Sequence, residues 1–266
     1  MTVEGAWSNV DAELALWAIA GQTARFWLRD DDTEASSAAL DRLLGLFDLY
    51  AAPCLLAVIP MRAQAGLKTL LSGNHRVAIA MHGVWHTNHQ PQGTKAAETP
   101  PARGLGVIAQ ELAAARHRLI DLFGPEAGTW YVPPWNRISD EAVALLPDLG
   151  FMALSAFGTT QFPGGSGLQQ HNTHIDIVDW KNGRVGHDTV AVAGDLSAAL
   201  AVARLDGFRP VGILTHHLVH DETAWSVLHA MMRFVHNHPA ASFLSPGELL
   251  QLPRLSGRVS GSTSRP

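Results

Sequence analysis

Cysteine is almost absent from this sequence. Of its 266 residues only Cys54 is a cysteine, so no disulfide can form within the chain. A structural zinc site is usually closed by four protein ligands that include cysteines, and one cysteine cannot supply them. Cys54 lies in an apolar run at residues 54–59, where we expect a buried, unreactive thiol.

Charged residues are also scarce, and neither sign dominates. They make up 16% of the chain, with 19 Lys and Arg against 24 Asp and Glu, which gives a formal net charge of −5. The sequence contains no long run of Lys and Arg, so it lacks the basic footprint of proteins that bind nucleic acid or anionic membranes. We therefore expect neither kind of partner.

Long apolar stretches, targeting signals and phosphate-binding motifs are missing as well. No window reaches the roughly 18 apolar residues of a membrane-spanning helix, and residues 1–7 show no basic segment followed by an apolar one. These absences favour a soluble, cytoplasmic protein. Neither Gly-x-Gly-x-x-Gly nor a P-loop follows the first predicted strand, which argues against a nucleotide-binding fold.

The chain is rich in apolar residues, histidine and tryptophan. Hydrophobic residues account for 47% of it, enough for a sizeable core, and there are 14 His and 8 Trp. Short apolar runs alternate with segments of helical period, as in βα units. The predicted strands are residues 25–28, 54–59, 77–81, 130–132, 151–157, 174–178 and 211–215. Seven such units fit a closed (β/α) barrel or an open doubly wound sheet.

The ends of the chain differ from this pattern. We predict an N-terminal extension with a helix at residues 1–24, a βα domain at 25–253, and a disordered tail at 254–266, where Ser, Gly and Arg dominate.

Uncommon polar and aromatic residues follow five of the predicted strands. The C-terminal ends of parallel strands meet on one face, where active sites form. The residues at these ends are Asp30, Asp31 and Asp32; His82, Trp85 and His86; Pro134, Trp135 and Asn136; Asp179 and Trp180; and His216 and His217. Each group alone also has an ordinary structural interpretation, such as a helix cap or a core histidine. Their predicted position on a single face favours a functional site.

Two imidazoles and one carboxylate on that face would hold a divalent ion and leave positions open for water and substrate. An ion held in this way polarises a carbonyl and lowers the pKa of its water towards about 7. The pattern therefore favours hydrolysis of an amide or ester. We take zinc as the first choice. Cobalt, manganese and nickel are alternatives, because the same donors suit all four ions.

These residues resemble the polysaccharide deacetylase family, which includes chitin, chitooligosaccharide and peptidoglycan deacetylases. The resemblance spans residues 25–221 and rests on five segments in family order. They are the Asp pair that ends the first strand, His82-Gly83-Val84-Trp85-His86 for the His-x-x-x-His motif, Val132-Pro133-Pro134-Trp135-Asn136 for the Arg-Pro-Pro-Tyr-Gly loop, Asp176-Ile177-Val178-Asp179-Trp180 for Asp-x-x-Asp-Trp, and Leu214-Thr215-His216 for Leu-x-His. The resemblance implies a distorted (β/α)7 TIM-like barrel in a single domain, here residues 25–253.

The resemblance also implies a role for each residue of the metal site. In the family's pair the first Asp is the base and the second binds metal. Residues 29–32, Arg-Asp-Asp-Asp, resemble an Arg-x-Asp-Asp variant of this motif, so we assign Asp31 as base and Asp32 as ligand. The other register makes Asp30 the base and Asp31 the ligand. His82 and His86 complete the ligand set.

The remaining roles concern proton transfer and substrate. His216 matches the family's general acid, a role suited to imidazole with its ordinary pKa of about 6.5, and Asp179 would orient and charge it. The resemblance places the substrate among Trp85, Pro134, Trp135, Asn136 and Trp180. Val132 stands where the family has the Arg that holds the catalytic Asp, and Arg29 or Arg137 are candidates to replace it. Asn136 stands where the family commonly has Gly.

The activity implied is that of a metal-dependent hydrolase acting on carbon–nitrogen bonds other than peptide bonds. It would remove an acetyl group from an N-acetylated sugar or glycan by metal-activated water. One alternative, motivated by Val132 and the cytoplasmic location, is hydrolysis of a small linear or cyclic amide on the same fold. A second, from another class, is a non-catalytic carbohydrate-binding relative.

Overall fold

The structure is a computed structural model that describes residues 3–162 and 167–253. A parallel sheet curls around a central axis and carries helices on its outer side, in one α/β arrangement. The predicted distorted (β/α)7 barrel is thereby confirmed. The predicted tail at residues 254–266 lies outside the described residues.

The strands follow the chain as β1 Ala24–Thr33, β2 Cys54–Val58, β3 Val77–His82, β4 Trp130–Val132, β5 Ala153–Leu154, β6 Gln169–Gln170, β7 Ile175–Asp176, β8 Val178–Asp179, β9 Val185–Gly186, β10 Val211–Thr215 and β11 Ala241–Phe243. Along the sheet the order is β6-β5-β4-β3-β2-β1-β10-β7, with β11 also paired to β1. Every pairing in this sheet is parallel, whereas β8 and β9 form a separate antiparallel hairpin.

The two ends of the sheet meet because β6 and β7 belong to one short segment of chain, residues 169–176. On one side the amide of His171 donates to the carbonyl of Leu154, at 3.0 Å, and on the other side His174 donates to Gly212, at 2.7 Å. This segment bridges β5 and β10, so it closes a ring with β1 to β5. Seven strand positions surround the axis, as the seven predicted runs require.

The helices are α1 Val3–Ala6, α2 Ser8–Ile19, α3 Ala38–Leu49, α4 Ala65–Leu71, α5 Leu105–Phe123, α6 Asp140–Leu145, α7 Thr189–Leu205, α8 Glu222–Asn237 and α9 Pro246–Gln251. Side-chain N-caps begin several of them; the Ser37 hydroxyl, for example, accepts from the amide of Leu40 at 3.1 Å. In the described residues no helix is both long and apolar enough to cross a membrane. At the N-terminus α2 packs on α7 through the ion pair of Glu13 with Arg204.

Side chains of β1 alternate between two separate environments, as the period of a strand requires. Phe26 and Leu28 belong to the large core between sheet and helices, whereas Trp27 belongs to the smaller core inside the barrel with Trp130. Continuing this alternation places Arg29 and Asp31 towards the barrel axis.

Candidate metal and catalytic site

The three aspartates at the end of β1 enter different environments. Asp30 is fully buried, and its carboxylate accepts from Thr215 Oγ1 at 2.6 Å, from His217 N at 2.9 Å and from His217 Nδ1 at 2.5 Å. Burial would raise the pKa of Asp30, but these partners outweigh burial and hold it below its ordinary value. The structure does not bring Asp30 to the other predicted catalytic groups, because strand alternation turns it to the opposite face of β1. Of the two registers that the sequence left open, the one with Asp31 as base and Asp32 as ligand therefore fits the site.

Asp31 is held by the buried guanidinium of Arg29. Arg29 Nε and Nη2 donate to the two oxygens of Asp31, both at 2.9 Å. The other N–H groups of Arg29 donate to Ser155 Oγ at 2.6 Å, the Ala156 carbonyl at 3.0 Å and Asn136 Oδ1 at 2.6 Å. A planar fork of this kind fixes a carboxylate in one orientation.

Arg29 thus supplies the contact that Val132 cannot make. Val132 is an apolar residue of the inner core on β4. Strands β2 and β3 lie between β4 and β1, which carries Asp31. Arg137, the other candidate, donates instead to the backbone carbonyl of Ala96, at 3.0 Å. Asn136 serves as a hydrogen-bond partner of Arg29.

Asp32, His82 and His86 converge on one point beside Asp31. Each offers one ligand atom, and these atoms lie within 4.8 Å of one another. Asp32 Oδ1 is 3.0 Å from His82 Nε2 and 3.3 Å from His86 Nε2. Two nitrogens and one oxygen at such spacing suit a divalent ion with open positions. The residues present therefore fit the metal that the sequence predicts.

The surroundings orient His82 and favour the ligating forms of His86 and Asp32. His82 Nδ1 donates to the carbonyl of Val132 at 3.1 Å, which leaves Nε2 facing Asp32; such a partner fixes the orientation of a ligating imidazole. Burial and the neighbouring His82 lower the pKa of His86 and so favour its neutral, ligating form. Burial opposes ionisation of Asp32, but hydrogen bonding and charge from His82 outweigh it and hold the pKa below its ordinary value.

Backbone strain accompanies the site. Asp32 and His86 have φ angles of +70° and +56°, in the left-handed region that few non-glycine residues adopt. Both are members of the candidate ligand set, and Trp135, whose ring centroid lies 4.3 Å from that of His86, has φ +55°. Such conformations persist only where the surrounding structure enforces them, and they concentrate at functional sites.

His216, like His82, is a buried imidazole close to Asp31. Its Nε2 lies 4.0 Å from Asp31 Oδ2, and its Nδ1 is buried without a hydrogen-bond partner in the described part of the chain. The ring meets Trp180 edge-on, with centroids 4.7 Å apart. This places His216 beside Asp31, next to the three candidate ligands.

Asp179 does not reach His216, contrary to the sequence-based assignment. Its carboxylate accepts from Asn182 Nδ2 at 2.6 Å and from the amide of Lys181 at 3.0 Å, so it caps the turn of the β8–β9 hairpin. The charge of His216 acts instead on Asp176. Burial raises the pKa of Asp176, while the charge of His216 acts to lower it, and Asp176 Oδ2 accepts from Trp180 Nε1 at 2.7 Å.

Aromatic residues border this group on two sides. Trp85 and Trp180 are 47% and 40% exposed, which leaves large apolar surfaces beside the polar groups. Trp135 covers His86, whereas Pro134 is buried against the backbone of Gly83. The indoles of Trp135 and Trp180 therefore lie against histidines of the candidate site, Trp85 is exposed next to His86 in the sequence, and Pro134 supports the loop.

Solved structures share this architecture. A protein described as a polysaccharide deacetylase from Mycobacterium smegmatis is 15% identical, with a TM-score of 0.60, and the match covers 90% of this chain and 95% of that one. A family 4 acetyl xylan esterase from Clostridium thermocellum, solved with a cobalt ion, is 14% identical, with a TM-score of 0.53 over 85% and 90% of the two chains.

The chain has the polysaccharide deacetylase fold. A CE4 family pseudoenzyme from Bacillus anthracis shares it too, at 14% identity and a TM-score of 0.54 over 86% of this chain and 66% of that one. No family model and no curated protein matches the sequence. The resemblance inferred from five short segments is thus confirmed in the fold, which the pseudoenzyme shows to be compatible with loss of activity.

Within this deacetylase fold, three residues join the site that the sequence analysis did not assign. Ser155 Oγ accepts from Arg29, the charge of Asp176 interacts with that of His216, and Glu98 is buried next to the loop that carries His86. Asp176 could have been found, since it begins the Asp-x-x-Asp-Trp segment. Glu98 lies in a polar segment with no periodicity, and nothing in the sequence distinguishes it from a surface glutamate.

Proposed function

We propose that this protein is a metal-dependent hydrolase that removes an acetyl group from an N-acetylated sugar or glycan. The observation that carries the proposal is the placement of Asp31 and His216, 4.0 Å apart, beside three ligand atoms that lie within 4.8 Å of one another. A carboxylate, an imidazole and a divalent-ion site are the groups that hydrolysis of an amide requires.

Asp32, His82 and His86 are the proposed ligands, and zinc is the proposed ion. When bound, the ion would polarise the acyl carbonyl and make an attacking water more acidic. The chain itself supplies the ordering of these ligands, through the Val132 carbonyl that orients His82 and the indole of Trp135 that covers His86.

Asp31 is the proposed general base. Arg29 holds both carboxylate oxygens through one N–H each, and each oxygen keeps a second lone pair. Asp31 can therefore accept a proton from water without turning away from the site. Geometry of this kind, fixed before substrate arrives, is what makes proton transfer efficient.

His216 is the proposed general acid. Its Nε2 faces Asp31 and the ligand set, so a proton held there can pass to the nitrogen that leaves as the carbon–nitrogen bond breaks. Asp176 contributes negative charge nearby, and Trp180 fixes the ring from the side. Acid and base thus lie next to each other beside the ligand set, each with its own neighbouring support.

The exposed indoles favour a carbohydrate substrate. Trp85, next to His86 in the sequence, and Trp180, against His216, present flat, amphipathic surfaces to solvent. Such surfaces pack well against sugar rings, which have an apolar face and a polar rim. The non-catalytic alternative has less support. It was motivated by Val132, but Arg29 holds Asp31 in place of the missing arginine.

The proposal is tested by measuring acetate and ammonia release from N-acetylated sugars, their oligomers and small linear or cyclic amides, with and without added Zn²⁺. We expect acetate from the N-acetylated sugars in the presence of metal. Asp31→Asn should lower the rate by about 10²- to 10⁴-fold, whereas Asp41→Asn, an exposed change on α3, should leave it unchanged. Ammonia from small amides without acetate from any sugar would favour the amide alternative.

A further inference from the structure

Glu98 is a buried carboxylate outside the set of groups assigned so far. It is 1% exposed, and in the described part of the chain no cationic side chain is paired with its carboxylate. The nearby guanidinium of Arg103 donates to the backbone carbonyl of Glu98, at 3.3 Å, and is ion-paired with Glu111. Burying an ionised group in this way is costly unless other donors replace the water.

Backbone amides replace the water. Glu98 Oε2 accepts from Val84 N at 2.8 Å, and Oε1 accepts from Trp85 N at 2.9 Å and Thr87 N at 3.1 Å. All three amides belong to the loop that joins His82 to His86, or lie just beyond it. Neighbouring N–H groups that converge on one anion form a strong, directional site for a carboxylate.

The loop has little room to move around Glu98. Gly83 has φ +61°, and a Cβ atom there would collide with the Glu98 carboxylate and the Pro134 ring. The segment that carries Glu98 is itself fixed, since Asn88 accepts from the amide of Ala97 at 3.1 Å. The Glu98 carboxylate therefore holds the loop in place through its hydrogen bonds to the loop amides.

We propose that Glu98 is a positioning residue for the third metal ligand. By holding the amides on both sides of His86, it keeps His86 in its strained backbone conformation, with Nε2 3.3 Å from Asp32 Oδ1. Without it, the loop would relax and His86 would leave the ligand set for part of the time. The inference rests on the proposed metal site and predicts that Glu98 acts on metal affinity through His86.

The first test is the affinity of metal-free protein for Zn²⁺, measured by competition with a chromophoric chelator. Glu98→Gln replaces one acceptor oxygen with an NH₂ group, which cannot accept from the loop amides. We expect affinity to fall about 10- to 100-fold, the usual effect of removing a residue that orients a ligand. Glu13→Gln, at another buried glutamate, on α2 and paired with Arg204, should leave affinity within twofold. Wild-type affinity in folded Glu98→Gln overturns the proposal.

The second test asks whether the effect passes through His86. In a His86→Ala background, Glu98→Gln should change the Zn²⁺ affinity by less than about twofold, because the ligand it positions is gone. An equal loss in both backgrounds would show a general structural effect and overturn the proposal. If Glu98→Gln does not fold, Glu98→Asp replaces it. Its shorter side chain keeps the charge but cannot reach all three amides, and an unchanged affinity there overturns the proposal as well.

The outcomes separate this inference from the proposed function. Protein that binds Zn²⁺, loses affinity in Glu98→Gln and releases no acetate would keep the positioning role and refute the deacetylase. If the protein releases acetate, but wild type and Glu98→Gln bind Zn²⁺ with equal affinity, the deacetylase stands and the positioning role is refuted. A wild type that binds no Zn²⁺ would refute both.

Discussion

At the scale of single residues, the spacing of Arg29 and Asp31 explains how the site does without the family's arginine. Residues two apart on a strand point to the same side, so Arg29 reaches both oxygens of Asp31 from within β1 itself. The remaining donors of Arg29 join Ser155, Ala156 and Asn136 to the same point. One buried side chain thereby connects three strand ends and orients the proposed base.

Replacing Arg29 with lysine tests this role. Lys keeps the positive charge but offers a single ammonium in place of the planar fork. We expect Arg29→Lys to lower kcat for acetate release by about 10- to 100-fold, because Asp31 loses its fixed orientation, while Zn²⁺ affinity stays near that of the wild type. Steady-state kinetics and chelator competition measure the two quantities. An unchanged kcat would show that Arg29 does not position the base.

His216 allows a complementary separation of proton transfer from metal binding. His216→Asn keeps a polar side chain but no group that can donate and regain a proton at neutral pH. We expect the rate of acetate release to fall about 10²- to 10⁴-fold while the protein still binds one equivalent of Zn²⁺. Metal analysis alongside kinetics checks this. Loss of the bound metal in this variant would make His216 a ligand and contradict its assignment as the acid.

At the scale of elements, the sequence predicts most clearly where apolar runs are short and bounded by polar residues. The strands at Trp130–Val132 and Val211–Thr215 begin and end as predicted. The run predicted at 174–178 is interrupted at Ile177, because the Asp176 side chain accepts from Val178 N and the chain turns into the β8–β9 hairpin. The same turn removes Asp179 from the site, which no reading of apolar periodicity could have shown.

The β8–β9 hairpin carries Trp180, and the capping residue of α8 ties it to that helix. Asp221 Oδ1 accepts from Ala224 N at 2.8 Å, as the N-cap of α8, and from Gly186 N at 3.0 Å. We expect Asp221→Ala to lower the free energy of unfolding by about 1 kcal/mol and to raise KM, because the hairpin loses its attachment.

Ser245→Ala removes the capping box of α9 and provides the matched control for Asp221→Ala. It should cost a similar amount of stability and leave KM unchanged. Urea denaturation and steady-state kinetics on both variants decide the matter. An equal KM in the two variants would show that the hairpin does not depend on Asp221.

At the scale of the whole molecule, alternation of strand and helix signals left a closed barrel and an open sheet as alternatives. The resemblance of five short segments selected the barrel, and neither showed how the barrel closes. The closing segment at residues 169–176 is polar, and only its last residues fall within a predicted strand, the run at 174–178. Its pairing comes from long-range backbone hydrogen bonds on both sides. Helix α7 was not predicted, since its Ala- and Val-rich sequence shows no clear apolar stripe. The burial of Glu98 could not be predicted from the sequence either, because it depends on tertiary packing alone.

The closing segment also makes stability depend on pH. Burial lowers the pKa of His171 to about 4, against about 6.5 in an unfolded chain. Between these values the unfolded state binds the proton and the folded state does not, so the free energy of unfolding should fall as pH drops from about 6.5 to about 4. In His171→Gln this fall should be smaller. Urea denaturation at about pH 7 and about pH 4.5 measures it; an identical fall in both proteins would contradict the assignment.

The central claim is that one divalent ion, held by Asp32, His82 and His86, is needed for an amide hydrolysis that Asp31 and His216 carry out. Its most direct test is the rate of acetate release from an N-acetylated chitooligosaccharide as Zn²⁺ is added to metal-free protein in known increments. The account predicts a rate that rises linearly and stops rising at one equivalent per chain. A rate that does not depend on added metal, or no acetate at any amount of metal, would contradict it.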